Sequence, residues 1–152
     1  MSFNDNLLNG TIFAFIILLN RLQALKIMMK LCVIDDEWIC IFLAEKLIQK
    51  VVPDSQVSHF KNGMEAIEYM KQNRLTPWSL PAFILLDINM PIANGWDFLD
   101  MLNNLEIDGY KPTIYISSSS QDAEDIAMAK QYSSIAGFLP KPLTLKKLAG
   151  IL

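Results

Sequence analysis

Strand patterns, most of them short apolar runs, alternate with helical patterns five times along this chain, from Lys30 to its last residues. The runs are bounded by polar and turn residues, which is typical of strands buried on both faces of a parallel sheet. They predict strands over 30–34, 56–60, 82–86, 113–117 and 136–139, with helices at about 37–51, from 63, 96–104, 122–132 and from 143. Strands that alternate with helices join through right-handed crossovers. The sequence therefore predicts one α/β domain whose parallel sheet is covered by helices on both faces.

The first predicted helix indicates how one face of the sheet would be covered. Its apolar residues recur at spacings of three and four, so they should form one stripe that packs on the sheet. The residues of this predicted stripe are Ile39, Phe42, Leu43, Leu47 and Ile48.

Size, charge and cysteine usage exclude several classes of protein. A chain of 152 residues fits one domain with a self-sufficient core, with or without an appendage. Its net charge of -3 offers no basic surface for nucleic acid. Cys32 lies in an apolar strand and Cys40 in the next helix, so we expect two small buried thiols rather than a disulfide or a metal pair. These features favour a cytoplasmic protein that binds neither nucleic acid nor membrane.

Residues 1–29 form an apolar extension that differs from the domain predicted over 30–152. The run over 11–19 is too short for a membrane span, which needs about 20 apolar residues. The one charge before it is Asp5, and no small-residue cleavage site follows it, which disfavours a secretory signal. Three alternatives stay open: an extra helix packed on the domain, an interfacial anchor, or translated sequence upstream of a natural start near Met28 and Met29.

Carboxylates follow two of the predicted strands directly. Asp35 and Asp36 come after the first strand, and Asp87 comes after the third. The carboxyl ends of parallel strands form the edge at which open α/β sheets bind ligands. Adjacent carboxylates repel each other unless a cation or an ammonium group neutralises them, and a helix cap would account for only one of them. Because Mg²⁺ prefers carboxylate, water and phosphate oxygens, we predict that Asp36 and Asp87 hold Mg²⁺.

Asp87 is also a candidate nucleophile. A carboxylate at the centre of the sheet can accept a phosphoryl group as an acyl phosphate. The transition state then needs its equatorial oxygens neutralised, which a cation, a hydroxyl and an ammonium group would do together. Ser117 and Ser118 supply hydroxyls at the end of the fourth strand. Lys141 follows the fifth strand and precedes Pro142, in a sequence suited to a tight turn.

Together these motifs resemble a response-regulator receiver domain. The resemblance covers about 30–150 and rests on VIDDE at 33–37, LLDINMPIANG at 85–95, the Ser117-Ser118 pair and FLPKPL at 138–143. It implies a flavodoxin-like, CheY-like fold with a doubly wound five-stranded parallel sheet of order 2-1-3-4-5. It also implies a stand-alone phosphorylation switch of a two-component system, which takes its phosphoryl group from a histidine kinase or a phosphotransfer protein and signals to an unknown downstream protein.

The resemblance gives each residue of this edge a role. Asp87 matches the phosphoacceptor, and Lys141 matches the lysine that pairs with the phosphoryl group. The other matches are Asp35 and Asp36 as the acidic pair, Asn89 as a main-chain carbonyl ligand of Mg²⁺, and Phe138 as the aromatic switch residue.

The switch hydroxyl falls on one of two adjacent serines. Counting back from the helix near Asp125 favours Ser118, whereas counting forward from Pro112 allows either Ser118 or Ser117. The last helix is short, which would curtail a face that many receiver domains use for dimers or partners.

Two other functions fit the pattern less well. A phosphohydrolase of the haloacid dehalogenase type needs an aspartate two residues after the nucleophile as acid and base, and Asn89 stands there instead. A pseudo-receiver that binds partners without phosphorylation is disfavoured by the complete acidic set. Because the predicted domain extends to residue 152, we expect no output domain. We also expect no enzymatic activity beyond the chain's own Mg²⁺-dependent phosphorylation and dephosphorylation.

Overall fold

The computed structural model describes residues 12–19, 29–119 and 122–152 of the chain. The strands are β1 (Lys30–Ile34), β2 (Gln56–Phe60), β3 (Phe83–Leu86), β4 (Thr113–Ser118) and β5 (Ile135–Pro140). The helices that follow them are α1 (Trp38–Val51), α2 (Gly63–Gln72), α3 (Gly95–Asn104), α4 (Ala123–Ala129) and α5 (Leu145–Ala149). A 3₁₀ turn at Pro77–Ser79 precedes β3. Helix α4 is thus shorter than the predicted 122–132, and α5 is short as expected.

The five strands form one parallel sheet in the order β2-β1-β3-β4-β5. This confirms the predicted topology. Strand β1 lies between β2 and β3, and the chain then continues outward through β4 and β5. The direction of winding changes between β1 and β3, which is where ligands bind in open sheets of this kind. Strands β1 and β3 end side by side, since Ile34 pairs with Leu86.

Helices α1 and α5 cover one face of the sheet. Their buried residues Ile41, Ala44, Ile48 and Leu148 pack against alternate residues of β1 and β3. The stripe predicted for this helix is therefore wrong in part. Ile48 is buried and Leu47 is half-buried, but three of its members point into solvent, with Ile39 at 52%, Phe42 at 49% and Leu43 at 41% exposure.

Helices α2 and α3 cover most of the other face of the sheet, and α4 packs on the same face near the end of β4. Ala66, Ile67 and Met70 of α2 are buried there with Phe98 and Leu99 of α3. Ala129 of α4 packs near the end of β4, in a smaller cluster with Ile88 and Ile116. The sheet is covered on both faces, as its apolar strands require.

Local sequence fixes where α2 and α3 begin. The Asn62 side chain accepts a hydrogen bond from the Glu65 N–H at the start of α2. Asn94 and Asp97 form a reciprocal capping box at the start of α3, which satisfies backbone donors that a helix start leaves unpaired. These caps fix the helix ends that lie at the carboxyl edge of the sheet.

The described part of the extension is a helix over 12–19. All eight of its residues are exposed, whereas α1 to α5 each bury at least one residue. No helix within the described ranges is long and apolar enough to cross a membrane.

Candidate functional site

Backbone hydrogen bonds that extend the sheet by one residue hold two aspartates at its edge. The Asp35 N–H donates to the Phe60 carbonyl at 3.0 Å, and the Asp87 N–H donates to the Ile34 carbonyl at 2.8 Å. Both side chains are almost fully buried, with 3% and 5% of their residue surface exposed. Each also accepts a hydrogen bond from the N–H two residues ahead, that of Glu37 at 3.0 Å and that of Asn89 at 3.1 Å. The two carboxylates are therefore fixed by backbone geometry.

Lys141 bridges these two carboxylates. Its Nζ lies 2.8 Å from Asp35 Oδ2 and 2.8 Å from Asp87 Oδ2. Its backbone N–H donates to the Ser118 carbonyl at 3.0 Å, which extends the pairing of β5 with β4. The bond from Lys141 to Pro142 is cis. Lys147 ties down this turn by donating from Nζ to the Pro140 carbonyl at 2.9 Å. The ammonium group thus lies at the carboxyl end of β3, beside Asp87.

Burial and the ammonium group act in opposite directions on the site. Burial raises the pKa of Asp35, and the hydrogen bonds from Lys141 and the Glu37 N–H only partly offset this effect. Burial by itself would lower the pKa of Lys141. The hydrogen bonds to Asp35 and Asp87 outweigh that effect, so the pKa of Lys141 lies above its usual range. The lysine therefore stays charged, and it is the counter-charge of the buried pair.

Asp36 completes a group of three carboxylates. One oxygen from each of Asp35, Asp36 and Asp87 lies within 4.8 Å of the other two, and Asp36 is exposed. This donor set fits a hard divalent cation, because oxygen ligands of this kind suit Mg²⁺ and the exposed side leaves room for its waters. Asn89, the fourth predicted ligand, lines the same cavity.

A cavity of about 430 Å³ opens beside these carboxylates, and its lining distinguishes the two candidate serines. Ser117, Asp35, Asp87 and Lys141 all line it, whereas Ser118 does not. Leu86 pairs with Ile116, so Asp87 and Ser117 follow as neighbours on adjacent strands. The Ser117 hydroxyl is buried without a hydrogen-bond partner, which costs about 1–3 kcal/mol unless a ligand satisfies it.

Phe138 lies on the other face of the sheet, away from the cavity. Its ring is half-buried, and it packs against the cluster of Ile88, Ile116 and Ala129, together with Trp96. Ile116 directly precedes Ser117 in β4, and it belongs to the cluster on which Phe138 packs. This one residue therefore links the site to the aromatic ring. Sequence reasoning identified Phe138 but not Trp96, whose ring stacks on Tyr132 with centroids 5.9 Å apart. The one sequence feature that could have indicated Trp96 is its position next to Gly95, at the start of α3.

An apolar surface adjoins the cavity, and sequence reasoning also missed it. It consists of Trp38, Ile39, Phe42 and Leu43, and we call it the α1 patch. Trp38 is the most exposed of the four at 70%, and Ile39 and Leu43 also line the cavity. Lys46 borders the patch, with its Nζ 5.5 Å from the centre of the Phe42 ring. Because every residue from Trp38 to Leu43 is apolar, the sequence does not indicate which of these side chains are exposed to solvent.

A flavodoxin-like sheet with buried acidic residues and a bridging lysine at its carboxyl edge defines a class of small signalling domains. The family model of the response regulator receiver domain matches residues 31–152. The chain therefore belongs to the response regulator receiver family of two-component signalling. Phosphorylation switching is general to this family, and its members generally bind Mg²⁺ at an acidic pocket.

Solved structures of receiver domains share this fold. A two-component response regulator from Cytophaga hutchinsonii has a TM-score of 0.70 and 28% identity, covering 81% of this chain and 92% of that one. The chemotaxis protein CheY4 of Vibrio cholerae has a TM-score of 0.65 and 20% identity, covering 81% of this chain and 94% of that one.

The curated relatives are longer proteins. A probable C4-dicarboxylate response regulator of Priestia megaterium is 22% identical over 115 residues, which are 76% of this chain and 46% of that protein. A protein-glutamate methylesterase of Paramagnetospirillum magneticum is 24% identical over 121 residues, which are 80% of this chain and 30% of that protein. The chain thus spans less than half the length of either relative.

Proposed function

We propose that this chain is a phosphorylation switch whose phosphoacceptor is Asp87, and that a histidine kinase or a phosphotransfer protein in the cytoplasm supplies the phosphoryl group. One observation carries the proposal: a buried carboxylate at the end of the central strand lies 2.8 Å from a lysine ammonium and within 4.8 Å of two further carboxylates. Structural ion pairs do not require a third, exposed carboxylate, whereas Mg²⁺ takes carboxylate ligands together with water and phosphate oxygens.

The proposed reaction is a direct transfer. An oxygen of Asp87 attacks the phosphorus atom, the phosphorus–nitrogen bond of the donor's phosphohistidine breaks, and the imidazole leaves with the electron pair. The Asn89 N–H holds Asp87 Oδ1 and Lys141 holds Oδ2, so the nucleophile is fixed before the donor arrives. Asp35, Asp36 and the main-chain carbonyl of Asn89 would hold Mg²⁺ with Asp87. When bound, Mg²⁺ supplies positive charge to the phosphoryl oxygens.

We infer that Ser117, rather than Ser118, is the hydroxyl that binds the phosphoryl group. Its lining of the cavity and its place beside Asp87 support this choice. A new phosphoryl oxygen would give its unpaired buried hydroxyl a partner, which adds to the stability of the phosphorylated state. Movement of Ser117 would then shift Ile116 and change the packing of Phe138 on the opposite face.

The α1 patch is the surface on which we expect the donor to dock. It borders the cavity that leads to Asp87, and apolar surface of this kind is favourable to bury against a helical partner. Output would follow at the Phe138 face, through a downstream protein that binds the phosphorylated and unphosphorylated states with different affinity.

Phosphorylation by a small acyl phosphate tests this proposal, with intact-protein mass spectrometry as the measurement. We expect one phosphoryl group in the presence of Mg²⁺ and none after chelation. Asp87→Asn should abolish the adduct, whereas Asp100→Asn, which changes a carboxylate of α3, should leave it intact. Labelling of Asp87→Asn at the wild-type rate would refute the assignment.

Alanine variants of Ser117 and Ser118 distinguish which of the two binds the phosphoryl group. Ser117→Ala should still accept a phosphoryl group but lose the amide chemical-shift change around Phe138 that phosphorylation causes in the parent. Ser118→Ala is the matched control and should keep that change. The opposite pattern would identify Ser118 as the switch residue.

A further inference from the structure

We propose that the helix over 12–19 is a lipid-binding site that anchors this domain to the surface of an anionic membrane. Each of its eight residues is apolar, and its seven large side chains are between 44% and 67% exposed. Successive residues of a helix are rotated by about 100°, so eight of them surround the axis twice. The helix thus has no polar face to turn toward water.

An apolar surface on every side fits lipid better than it fits a protein groove. A groove covers one face of a helix and leaves the other in water, whereas hydrocarbon surrounds all of it. Helix α1 shows the contrast, because it buries Ile41, Ala44 and Ile48 against the sheet and keeps Lys46 and Lys50 exposed. The helix over 12–19 has no such division.

The eight described residues of this helix fit within one leaflet of a bilayer. Eight residues span about 12 Å at 1.5 Å per residue. Half of the hydrocarbon core is about 15 Å thick. These residues are therefore long enough to enter one leaflet.

Charge distinguishes the extension from the rest of the chain. Residues 1–29 hold two of the 13 basic residues, Arg21 and Lys26, and one of the 16 acidic residues, Asp5. The extension thus carries +1, and residues 30–152 carry -4. Basic residues next to an apolar segment are attracted to anionic lipid, while an acidic domain is repelled from it. The charge pattern therefore directs the extension, and not the domain, toward the membrane.

Attachment at this point would leave the phosphorylation site accessible. The extension joins the domain at Lys30, where β1 begins, at the amino edge of the sheet. Asp35 and Asp87 lie at the opposite, carboxyl edge. A domain held by its amino edge therefore keeps its cavity and the α1 patch available to a donor.

Co-sedimentation of the full chain with vesicles tests the proposal. We expect binding to vesicles of phosphatidylglycerol and phosphatidylcholine, half complete at about 10⁻⁴ M accessible lipid, the range of a single myristoyl chain. Pure phosphatidylcholine vesicles should bind less, and Lys26→Gln should weaken binding to the anionic vesicles roughly fivefold. Ile16→Asp, which places a charge in the middle of the helix, should weaken it by at least ~tenfold.

Leu75→Asp is the matched control, because Leu75 is 84% exposed but lies on the loop after α2. It should bind vesicles like the parent, and urea denaturation should give all three variants the same midpoint. Equal binding by the parent and Ile16→Asp would overturn the proposal, as would an equal loss in Leu75→Asp. A third result would also overturn the proposal: the parent does not bind vesicles but forms a dimer, and Ile16→Asp dissociates that dimer. The helix would then bind a second copy of the chain.

Discussion

Replacing Lys141 by methionine should destabilise the domain in the absence of divalent cations. The ammonium group is the bridge between Asp35 and Asp87, with both Nζ–oxygen distances at 2.8 Å. The three side chains are 15%, 4% and 7% exposed, so the ion pairs are largely shielded from bulk water. Methionine keeps most of the length and apolar volume of the lysine stem, so the substitution removes mainly the charge.

The expected loss of unfolding free energy depends on how the two carboxylates are held once the lysine is gone. Removing one partner of a buried ion pair typically costs 3–5 kcal/mol, because the other charge stays buried and unpaired. The Glu37 and Asn89 N–H groups still hold one oxygen of each carboxylate, which places our expectation at the lower end, about 3 kcal/mol. For a domain of this size that loss lowers the melting temperature by roughly 10 °C.

The loss should also depend on pH. Burial raises the pKa of Asp35 even with the lysine present, and removal of the lysine raises it further. A carboxyl group whose pKa is higher in the folded state than in the unfolded state stabilises the fold at low pH, and this contribution is lost as the pH rises through the folded pKa. The variant should therefore lose least stability near pH 5 and most near pH 8.

Urea denaturation with a chelator present, at pH 5 and pH 8, measures both effects. Lys146→Met, at an exposed position on α5, is the matched control and should stay close to the parent at both pH values. Added Mg²⁺ should restore part of the stability of Lys141→Met, because a ligand that binds only the folded state shifts the equilibrium toward it. A loss below about 1 kcal/mol, or a loss that is equal at the two pH values, would refute the view that Lys141 neutralises a buried carboxylate pair.

Three further predictions address the site and its supports. Asp36→Ala should weaken Mg²⁺ binding at least ~tenfold, because it removes one of three carboxylate ligands. The same change should raise the urea midpoint of the metal-free protein by relieving repulsion between carboxylates, and tryptophan fluorescence measures both effects. Gly95→Ala should lower stability by about 1–3 kcal/mol and slow phosphorylation, because the alanine Cβ would lie 2.6 Å from the Asp87 carbonyl oxygen. Phosphorylation at the wild-type rate would contradict this reasoning. Burial raises the pKa of Cys32 to about 12, so at pH 8 iodoacetamide should label the half-buried Cys40 first, and Cys32 only in urea.

The fold could be predicted from the sequence because its central strands are apolar on both faces. Five strand patterns, each followed by a helix, leave few topologies, and right-handed crossovers select among them. The acidic positions were also predictable, since Asp35 and Asp87 follow directly on buried runs and Asp36 is the next residue after Asp35. For these residues, position along the strand determines position in space.

Two features could not be predicted from the pattern. Helix α1 is apolar at six consecutive positions from Trp38 to Leu43, so periodicity does not decide which face packs inward. The small side chain of Ala44 lets the helix approach the sheet on the face of Ile41 and Ile48. The serine run that begins in β4 is uniform in sequence, so the sequence does not distinguish its members. Only the pairing of β4 with β3 places Ser117 beside Asp87.

Locating the phosphoryl group on the chain tests the central claim most directly. The protein would be phosphorylated with a small acyl phosphate and Mg²⁺, reduced with borohydride to convert an aspartyl phosphate into homoserine, digested, and sequenced by tandem mass spectrometry. Our account predicts homoserine at position 87, and none in a sample prepared with a chelator. Homoserine at another aspartate, or an unmodified position 87 in a protein that carries the phosphoryl group, would contradict it.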